Sequence, residues 1–195
     1  IKKINETNLL IEEMRSKPSG NLKIVSGNYL TKMNLLPYLK EFSKKYPKIK
    51  LDIDNSERLP NIKNENVDIL IGMSIPIEEE DLIQKCIGYT KQVLSISSKL
   101  KEKHKIKTLN DLHNIPYLTH TIRKPDGVLN LKNGKKIEFK PYLRFNDSMS
   151  LLKAIEDGIG FGYTLEYVAR KSLNEGKIIE LFKNDMPEKI PVYLA

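Results

Sequence analysis

The apolar positions of the first 72 residues alternate between strand-like and helix-like spacing. "NLKIVSG", "KIKLDID" and "VDILIG" predict strands, and the last is a nearly continuous apolar run of the kind buried inside a parallel sheet. After the loop "NYLTK", apolar residues from Leu35 to Tyr46 recur at helical spacing, and Pro47 ends that helix. With a short helix at 59–64, the order β-α-β-α-β predicts a parallel α/β sheet.

The rest of the chain predicts a second unit of the same class. "QVLSIS", "IPYLTH", "PYLRF", "IGFGYTL", "KIIELF" and "IPVYLA" indicate strands, and "KNGKK" between "VLNL" and "IEF" indicates a hairpin. A helix from about Met149 to Glu156 begins at a cap, either Asp147 or Ser148, and "LEYVARKSLNEG" predicts another helix that ends at Gly176.

The first residues, Ile1 to Lys17, predict an amphipathic helix that stops before "PSG". A short helix of this kind cannot bury its apolar stripe alone. We therefore expect it to continue into preceding sequence or to pack on a partner chain, and we interpret both ends of the chain as cuts in a larger protein.

The stretch "IEDGIGFGYTL" carries three glycines at every second position, Gly158, Gly160 and Gly162. A dinucleotide-binding loop runs from strand to glycines to helix, whereas here a helix precedes the glycines and a strand follows. We therefore reject a phosphate loop. We expect Gly158 to end the helix in a left-handed conformation, and Gly160 and Gly162 to allow close packing of the strand.

Composition adds little that is specific. The net charge of +8 suggests nucleic acid or an acidic ligand, but the lysines are scattered, so a solvated lysine-rich surface is favoured over a DNA-binding face. The single cysteine, Cys86, excludes an internal disulfide and is interpreted as a small buried side chain in a reducing compartment. No apolar run of 18 residues exists, and we predict a cytoplasmic protein.

No motif points to catalysis. The three histidines lack metal-ligand spacing, and "EEED" at Glu78 to Asp81 is interpreted as a solvated acidic turn rather than a divalent-ion site. No serine or cysteine has an identifiable base partner. We therefore predict no enzyme activity, no metal ion and no cofactor.

Polar residues follow the predicted strands of both units. In α/β sheets ligands bind beyond the carboxyl ends of the strands. Those ends carry Asn28, Ser56 and Met73 in the first unit and "YLTHT", Tyr117 to Thr121, in the second. Polar residues at the strand ends of both units predict a binding cleft. The alternative for "YLTHT" is a capped strand end.

The ordered string "GNLKIVSG…LLPYLKEFSKKYPKIKLDI…NVDILIG", followed by "TLNDLHNIPYL" and "GIGFGYTL", resembles the effector-binding domain of LysR-type transcriptional regulators. The resemblance covers residues 20 to 195. One departure is Glu65, where the family often has a glycine; the flanking asparagines tolerate a left-handed turn.

The resemblance implies a two-lobed, periplasmic-binding-protein-like (type 2) α/β fold, each lobe a mostly parallel sheet flanked by helices, joined by two crossover strands. It assigns 1–19 to the linker helix, 20–92 to lobe I, 93–187 to lobe II and 188–195 to a crossover strand. The effector-binding residues that it implies follow strand ends in both lobes: Asn28, Tyr29, Thr31, Ser56, Met73, Thr119, His120, Thr121, Asn146 and Thr164.

The predicted function is therefore sensing of a small anionic effector. A winged helix-turn-helix domain outside this chain would convert effector binding into a change in DNA binding. The further partners expected are other copies of the chain, in a homodimer or homotetramer, and RNA polymerase. In the family, the helix around Leu36 to Tyr46 of one copy often packs near the lobe II helix of another. The alternative is a periplasmic-type solute-binding protein on the same fold.

Overall fold

The computed structural model describes residues 18–58, 60–62, 64–73 and 83–195, which divide into two compact units. The first holds the described residues up to Gly72 together with Leu194 and Ala195, and the second runs from Met73 to Tyr193. The helix predicted at 1–17 and the acidic turn at 78–81 lie outside the described residues. Within the described ranges, no helix is long and apolar enough to cross a bilayer.

The first unit is built on three parallel strands, as predicted. β1 (Gly20–Ser26) pairs with β2 (Ile49–Asp54) on one side and with β3 (Ile69–Gly72) on the other. Leu70 of β3 also exchanges two backbone hydrogen bonds with Ala195, with N···O distances of 2.7 and 2.9 Å. The carboxyl ends of β1, β2 and β3 therefore lie at one edge of the sheet.

A helical run begins directly after β1, so the prediction of a loop at "NYLTK" is wrong. The run comprises α1 (Asn28–Leu30), a π-helical turn (Thr31–Leu35) and α2 (Leu36–Lys45). Pro37 has no N–H to bond to the preceding turn. The π-helical turn just before it, closed by the Leu36 N–H on the Thr31 carbonyl, lets the helix pass this proline without ending.

The helix predicted at 59–64 does not form in the residues described there. Asn61 accepts a hydrogen bond from the Asn64 N–H through its side-chain oxygen, at 3.1 Å. Side-chain bonds of this kind favour turns over helix. Asn66 has φ 49°, so an asparagine takes the left-handed conformation that was expected beside Glu65.

From Met73 to Tyr193 the chain forms a second α/β unit. Its strands are β4 (Lys85–Thr90), β5 (Gln92–Ser97), β6 (Tyr117–His120), β7 (Val128–Asn130), β8 (Lys136–Glu138), β9 (Pro141–Phe145), β10 (Phe161–Leu165), β11 (Ile178–Glu180) and β12 (Ile190–Leu194). Its helices are α3 (Ser98–His104), α4 (Ser148–Glu156) and α5 (Glu166–Asn174), with 3-10 segments at Leu109–Asn114 and Lys183–Asp185.

The main sheet of this unit has the order β11-β5-β10-β6-β9. β10, β6 and β9 run parallel, and β5 is antiparallel to both of its neighbours. β7 and β8 form the predicted hairpin. The mostly parallel sheet predicted from sequence is confirmed.

Two of the three glycines of "IEDGIGFGYTL" are packing residues. Gly158 follows α4 with φ +76°, as predicted for a helix end. A Cβ on Gly160 would lie 2.1 Å from the Pro116 carbonyl oxygen. A Cβ on Gly162 would lie 2.6 Å from the Leu118 carbonyl oxygen. Only glycine lets β10 enter the sheet this close to β6 and the residues before it.

The core of the second unit lies between the sheet and its helices. α4 buries the apolar face formed by Leu151, Leu152, Ala154 and Ile155. The rings of Tyr117, Phe139 and Phe161 pack together with centroids 5.1–5.4 Å apart. Each large buried side chain of this kind contributes about 1.5–3 kcal/mol.

Sequence reasoning missed β4 and α3, and its interpretation of Cys86 is wrong. The Cys86 side chain is exposed, as are most of the residues of β4. α3 escaped notice because Leu100 is its one apolar residue, so it has no hydrophobic stripe.

Candidate functional site

Polar residues of the second unit meet at the carboxyl ends of three neighbouring parallel strands. Thr119 and His120 end β6, and the register pairs His120 with Phe145, the last residue of β9. Asn146 follows β9 directly, and Thr164 lies near the end of β10, two residues beyond the pairing of Gly162 with Leu118. The structure therefore brings these predicted residues to one edge of the sheet, which we call the strand-end site.

The strand-end site contains buried hydroxyl groups. Thr119 is 0% exposed and Thr164 is 1% exposed. Among the described residues, no hydrogen-bond partner reaches Thr164 Oγ1. Thr121 is exposed, and its N–H donates to the Phe145 carbonyl oxygen at 2.8 Å, so its backbone extends the pairing of β6 with β9.

His120 is held by the backbone that follows it. Its side chain is buried, and its Nδ1 accepts a hydrogen bond from the Ile122 N–H at 3.1 Å. This bond fixes the orientation of the ring at the end of β6.

Arg123 is a polar residue of this region that sequence reasoning missed. Its Nη2 donates to the Tyr163 carbonyl oxygen at 2.6 Å, and its guanidinium carbon lies 3.5 Å from the Tyr163 ring centroid. The only feature of the sequence that could have pointed to Arg123 is its position, three residues after the end of β6. Asp126 is engaged elsewhere, with Arg144 Nε at 2.6 Å.

Two tyrosines under this edge stay neutral at physiological pH. Burial raises the pKa of Tyr117 to about 12, and the neighbouring Tyr163 adds to the rise. Burial also raises the pKa of Tyr163, while the charge of Arg123 acts in the opposite direction. Both phenols therefore remain protonated and able to donate hydrogen bonds.

The first unit places its predicted residues where β1, β2 and β3 end. Asn28 and Tyr29 are half-buried on α1, and Thr31 is 1% exposed with no partner for its Oγ1 among the described residues. Ser56 follows β2, and its Oγ accepts from the Arg58 N–H at 3.3 Å. Met73 follows β3 and is half-buried.

Ser26, the last residue of β1, adds a second buried hydroxyl to the first unit. It is 1% exposed, and its Oγ also lacks a partner within the part of the chain that the structure describes. Its position at the strand end was visible in the sequence, but its burial was not. Ser26 and Thr31 flank the start of the helical run.

The starts of α1 and α4 differ. α1 follows Gly27, which has no side chain to cap it. At α4, the Asp147 carboxylate accepts hydrogen bonds from Ser150 N at 2.7 Å and from Ser150 Oγ at 2.8 Å. The positive end of α4 is therefore already neutralised by a carboxylate, which removes it as a site for an anion.

The described residues contain no cluster of three or more histidine, cysteine, aspartate or glutamate side chains able to hold a metal ion. Glu78 to Asp81 lie outside them.

A family model described as LysR substrate binding domain matches residues 15–195. The HTH-type transcriptional regulator DmlR of Escherichia coli (strain K12) is 30% identical over 125 residues, covering 63% of this chain and 40% of that protein. The uncharacterized HTH-type transcriptional regulator YcaN of the same organism is 23% identical over 187 residues, covering 89% and 59%. The chain thus spans less than two thirds of the length of either relative.

Solved structures agree with the predicted fold. The regulatory domain of CrgA, a LysR-type transcriptional regulator from Neisseria meningitidis, has a TM-score of 0.77 at 19% identity, covering 91% of this chain and 88% of that one. Full-length AphB, a virulence activator of Vibrio cholerae and a member of the same regulator family, has a TM-score of 0.80 at 18% identity, covering 99% and 67%. The type 2 periplasmic-binding-protein-like α/β fold is confirmed.

Proposed function

The chain belongs to the family of LysR substrate-binding domains, and we propose that it senses a small anionic effector through the strand ends of its two units. It is the effector-binding domain of a LysR-type regulator. The curated relatives are transcriptional regulators, which favours this function over a periplasmic solute-binding protein and over an enzyme.

The observation that carries the proposal is the set of buried hydroxyls at the strand ends. Thr164 Oγ1 in the second unit and Ser26 Oγ and Thr31 Oγ1 in the first are enclosed without a partner among the described residues. A buried hydroxyl without a partner costs about 1–3 kcal/mol. A bound effector that supplies hydrogen-bonding groups would recover this cost.

The start of the first helical run supports a negatively charged ligand. It begins at Asn28, directly after Gly27, and continues to Lys45, so the positive end of its dipole lies beside the end of β1. The two protonated tyrosines add hydrogen-bond donors in the second unit. In each unit, these groups would suit a ligand that carries a carboxylate.

In the full-length regulator, effector binding would shift the equilibrium between two arrangements of the domain. A winged helix-turn-helix domain would convert this shift into a change in DNA binding. We propose a homodimer or homotetramer in the cytoplasm, with RNA polymerase as a further partner. The exposed apolar side chains Met33 and Leu36 on the first helical run and Met149 on α4 support contact between copies.

The test is calorimetric titration of the chain with a panel of small mono- and dicarboxylates and their neutral amides. We expect saturable binding of at least one carboxylate, and about tenfold weaker binding by the double variant Thr119→Val/Thr164→Val. Ser95→Ala is the matched control, because its hydroxyl is also buried without a partner but lies in the middle of β5.

Binding of neutral apolar compounds alone would refute the anionic effector. Equal affinity of the wild-type chain and the threonine variant would remove the strand-end site from effector recognition.

A further inference from the structure

A cavity of about 620 Å³ opens in the second unit, away from the strand-end site. It lies beside α3, the last turn of α4 and the residues that follow α5, next to Ser97 at the end of β5. β5 runs antiparallel to β10 and pairs Ile96 with Phe161, the first residue of β10. The cavity therefore adjoins the amino ends of the parallel strands, whereas Thr164 lies at their carboxyl ends.

Four lysines line this cavity, and two of them have carboxylate partners. Lys153 Nζ lies 2.5 Å from Asp157 Oδ1, and Lys177 Nζ lies 2.7 Å from Glu175 Oε2. Hydrogen bonds to these carboxylates raise the pKa of both lysines. Both ammonium groups are therefore charged at neutral pH.

The other two lysines, Lys99 and Lys103, have no carboxylate within 4.0 Å among the described residues. They lie four residues apart on α3, so their side chains share one face, and both line the cavity. Like charges at this spacing repel each other and destabilise a helix. Both side chains are exposed, so packing in the core does not explain their placement.

We propose that this cavity binds a small phosphate-type polyanion, held chiefly by Lys99 and Lys103. Such a ligand would neutralise the two cations that have no carboxylate partner among the described residues. The cations that line the wall within the described residues are lysines, and lysine binds phosphate as a point charge.

Negatively charged groups also line the cavity. Glu156 and Asp157 line it, and α4 and α5 end there, so their carbonyl groups add partial negative charge. Glu156 Oε1 already accepts a hydrogen bond from Ser172 Oγ at 2.5 Å. These groups oppose any anion, so the attraction must come from Lys99 and Lys103, and a ligand with two or more charged groups can contact both lysines at once.

The test is titration of the 195-residue chain with inorganic pyrophosphate at constant ionic strength, with acetate as the singly charged comparator. The test variant is Lys99→Gln/Lys103→Gln. The control Lys135→Gln/Lys136→Gln removes the same charge from the exposed hairpin of the same unit. Far-ultraviolet circular dichroism checks that each variant is folded.

We expect saturable binding of pyrophosphate to the wild-type chain, about tenfold weaker binding to the Lys99/Lys103 variant, and unchanged binding to the control. Lys99→Arg/Lys103→Arg should retain binding, because the charge remains.

The proposal is overturned if pyrophosphate shows no saturable binding, or if both glutamine variants lose affinity equally. It is also overturned if Thr119→Val/Thr164→Val abolishes pyrophosphate binding while the Lys99/Lys103 variant retains it. That last result would place the ligand in the strand-end site and would leave the effector proposal standing.

Discussion

The guanidinium of Arg123 is held by Tyr163 in two ways. Its carbon lies 3.5 Å from the ring centroid, and its Nη2 donates a hydrogen bond to the Tyr163 carbonyl oxygen at 2.6 Å. The first contact places the group over the face of the ring, and the second anchors one of its nitrogens. Together they join the segment after β6 to β10, the two strands that supply Thr119 and Thr164 to the strand-end site.

This relationship predicts the effect of a conservative substitution. Lysine keeps the charge but lacks the planar group, so Arg123→Lys should lower the free energy of unfolding by about 1 kcal/mol. Urea denaturation followed by circular dichroism measures the change. Arg170→Lys is the control, because Arg170 is largely exposed and lies 4.0 Å from Glu166. An equal, near-zero loss in both variants would contradict a structural role for the Arg123 contact.

The entry of β10 into the sheet predicts a much larger effect. In Gly160→Ala the added Cβ would lie 2.1 Å from the Pro116 carbonyl oxygen, so β10 must move away from the chain before β6. We expect a loss of about 3 kcal/mol or more in unfolding free energy. In Gly88→Ala the Cβ meets nothing within 4 Å, and stability should change little. Comparable stability of the two variants in urea would refute the close approach.

The pattern of apolar residues predicted most of the strands and the main helices, because each buries a face that repeats at the period of its element. It also placed Thr119, His120 and Thr164 at strand ends, because the end of an apolar run marks the end of a strand. α3 could not be found this way, because Leu100 is its only apolar residue.

The burial of Ser26 and the contacts of Arg123 could not be predicted from the sequence either. Both depend on which elements lie beside them after folding. Arg123 is 40 residues from the carbonyl oxygen that it contacts, and no local spacing encodes that partner. Glu65 stands where the family often has a glycine, and the structure shows that its carboxylate binds Arg58 and the Asn61 N–H.

Glu65 predicts a defined dependence of stability on pH. Its carboxylate accepts two hydrogen bonds from the Arg58 guanidinium and one from the Asn61 N–H, and these bonds lower the pKa of Glu65 from 4.5 to about 2. A lowered pKa in the folded state stabilises the fold above pH 4.5, and this contribution disappears as the pH falls towards 2.

Glu65→Gln should therefore make the unfolding free energy depend less steeply on pH between about 4.5 and 2. Urea denaturation at several pH values measures this slope. Glu138→Gln is the control, since Glu138 is exposed and has no ion pair among the described residues. A slope equal to that of the wild-type chain in Glu65→Gln would show that the pairing with Arg58 does not persist in solution.

The last prediction concerns association between copies. Leu36, at the start of α2, is 48% exposed, and Met149, in the first turn of α4, is 40% exposed. If α2 of one copy packs on α4 of another, a two-fold dimer contains this contact twice. Leu36→Glu and Met149→Lys should then each weaken the dimer, because each buries a charge in an apolar contact.

Mixing the two single variants should restore association, since one contact then pairs opposite charges and the other is unchanged. Sedimentation velocity at tens of micromolar measures this, on the scale of ordinary dimer affinities. Ile122→Glu, at another exposed apolar position, is the control and should leave the dimer intact. If the single variants dimerise like the wild-type chain, the copies meet elsewhere; if the mixture stays as dissociated as its components, Leu36 and Met149 do not meet across the interface.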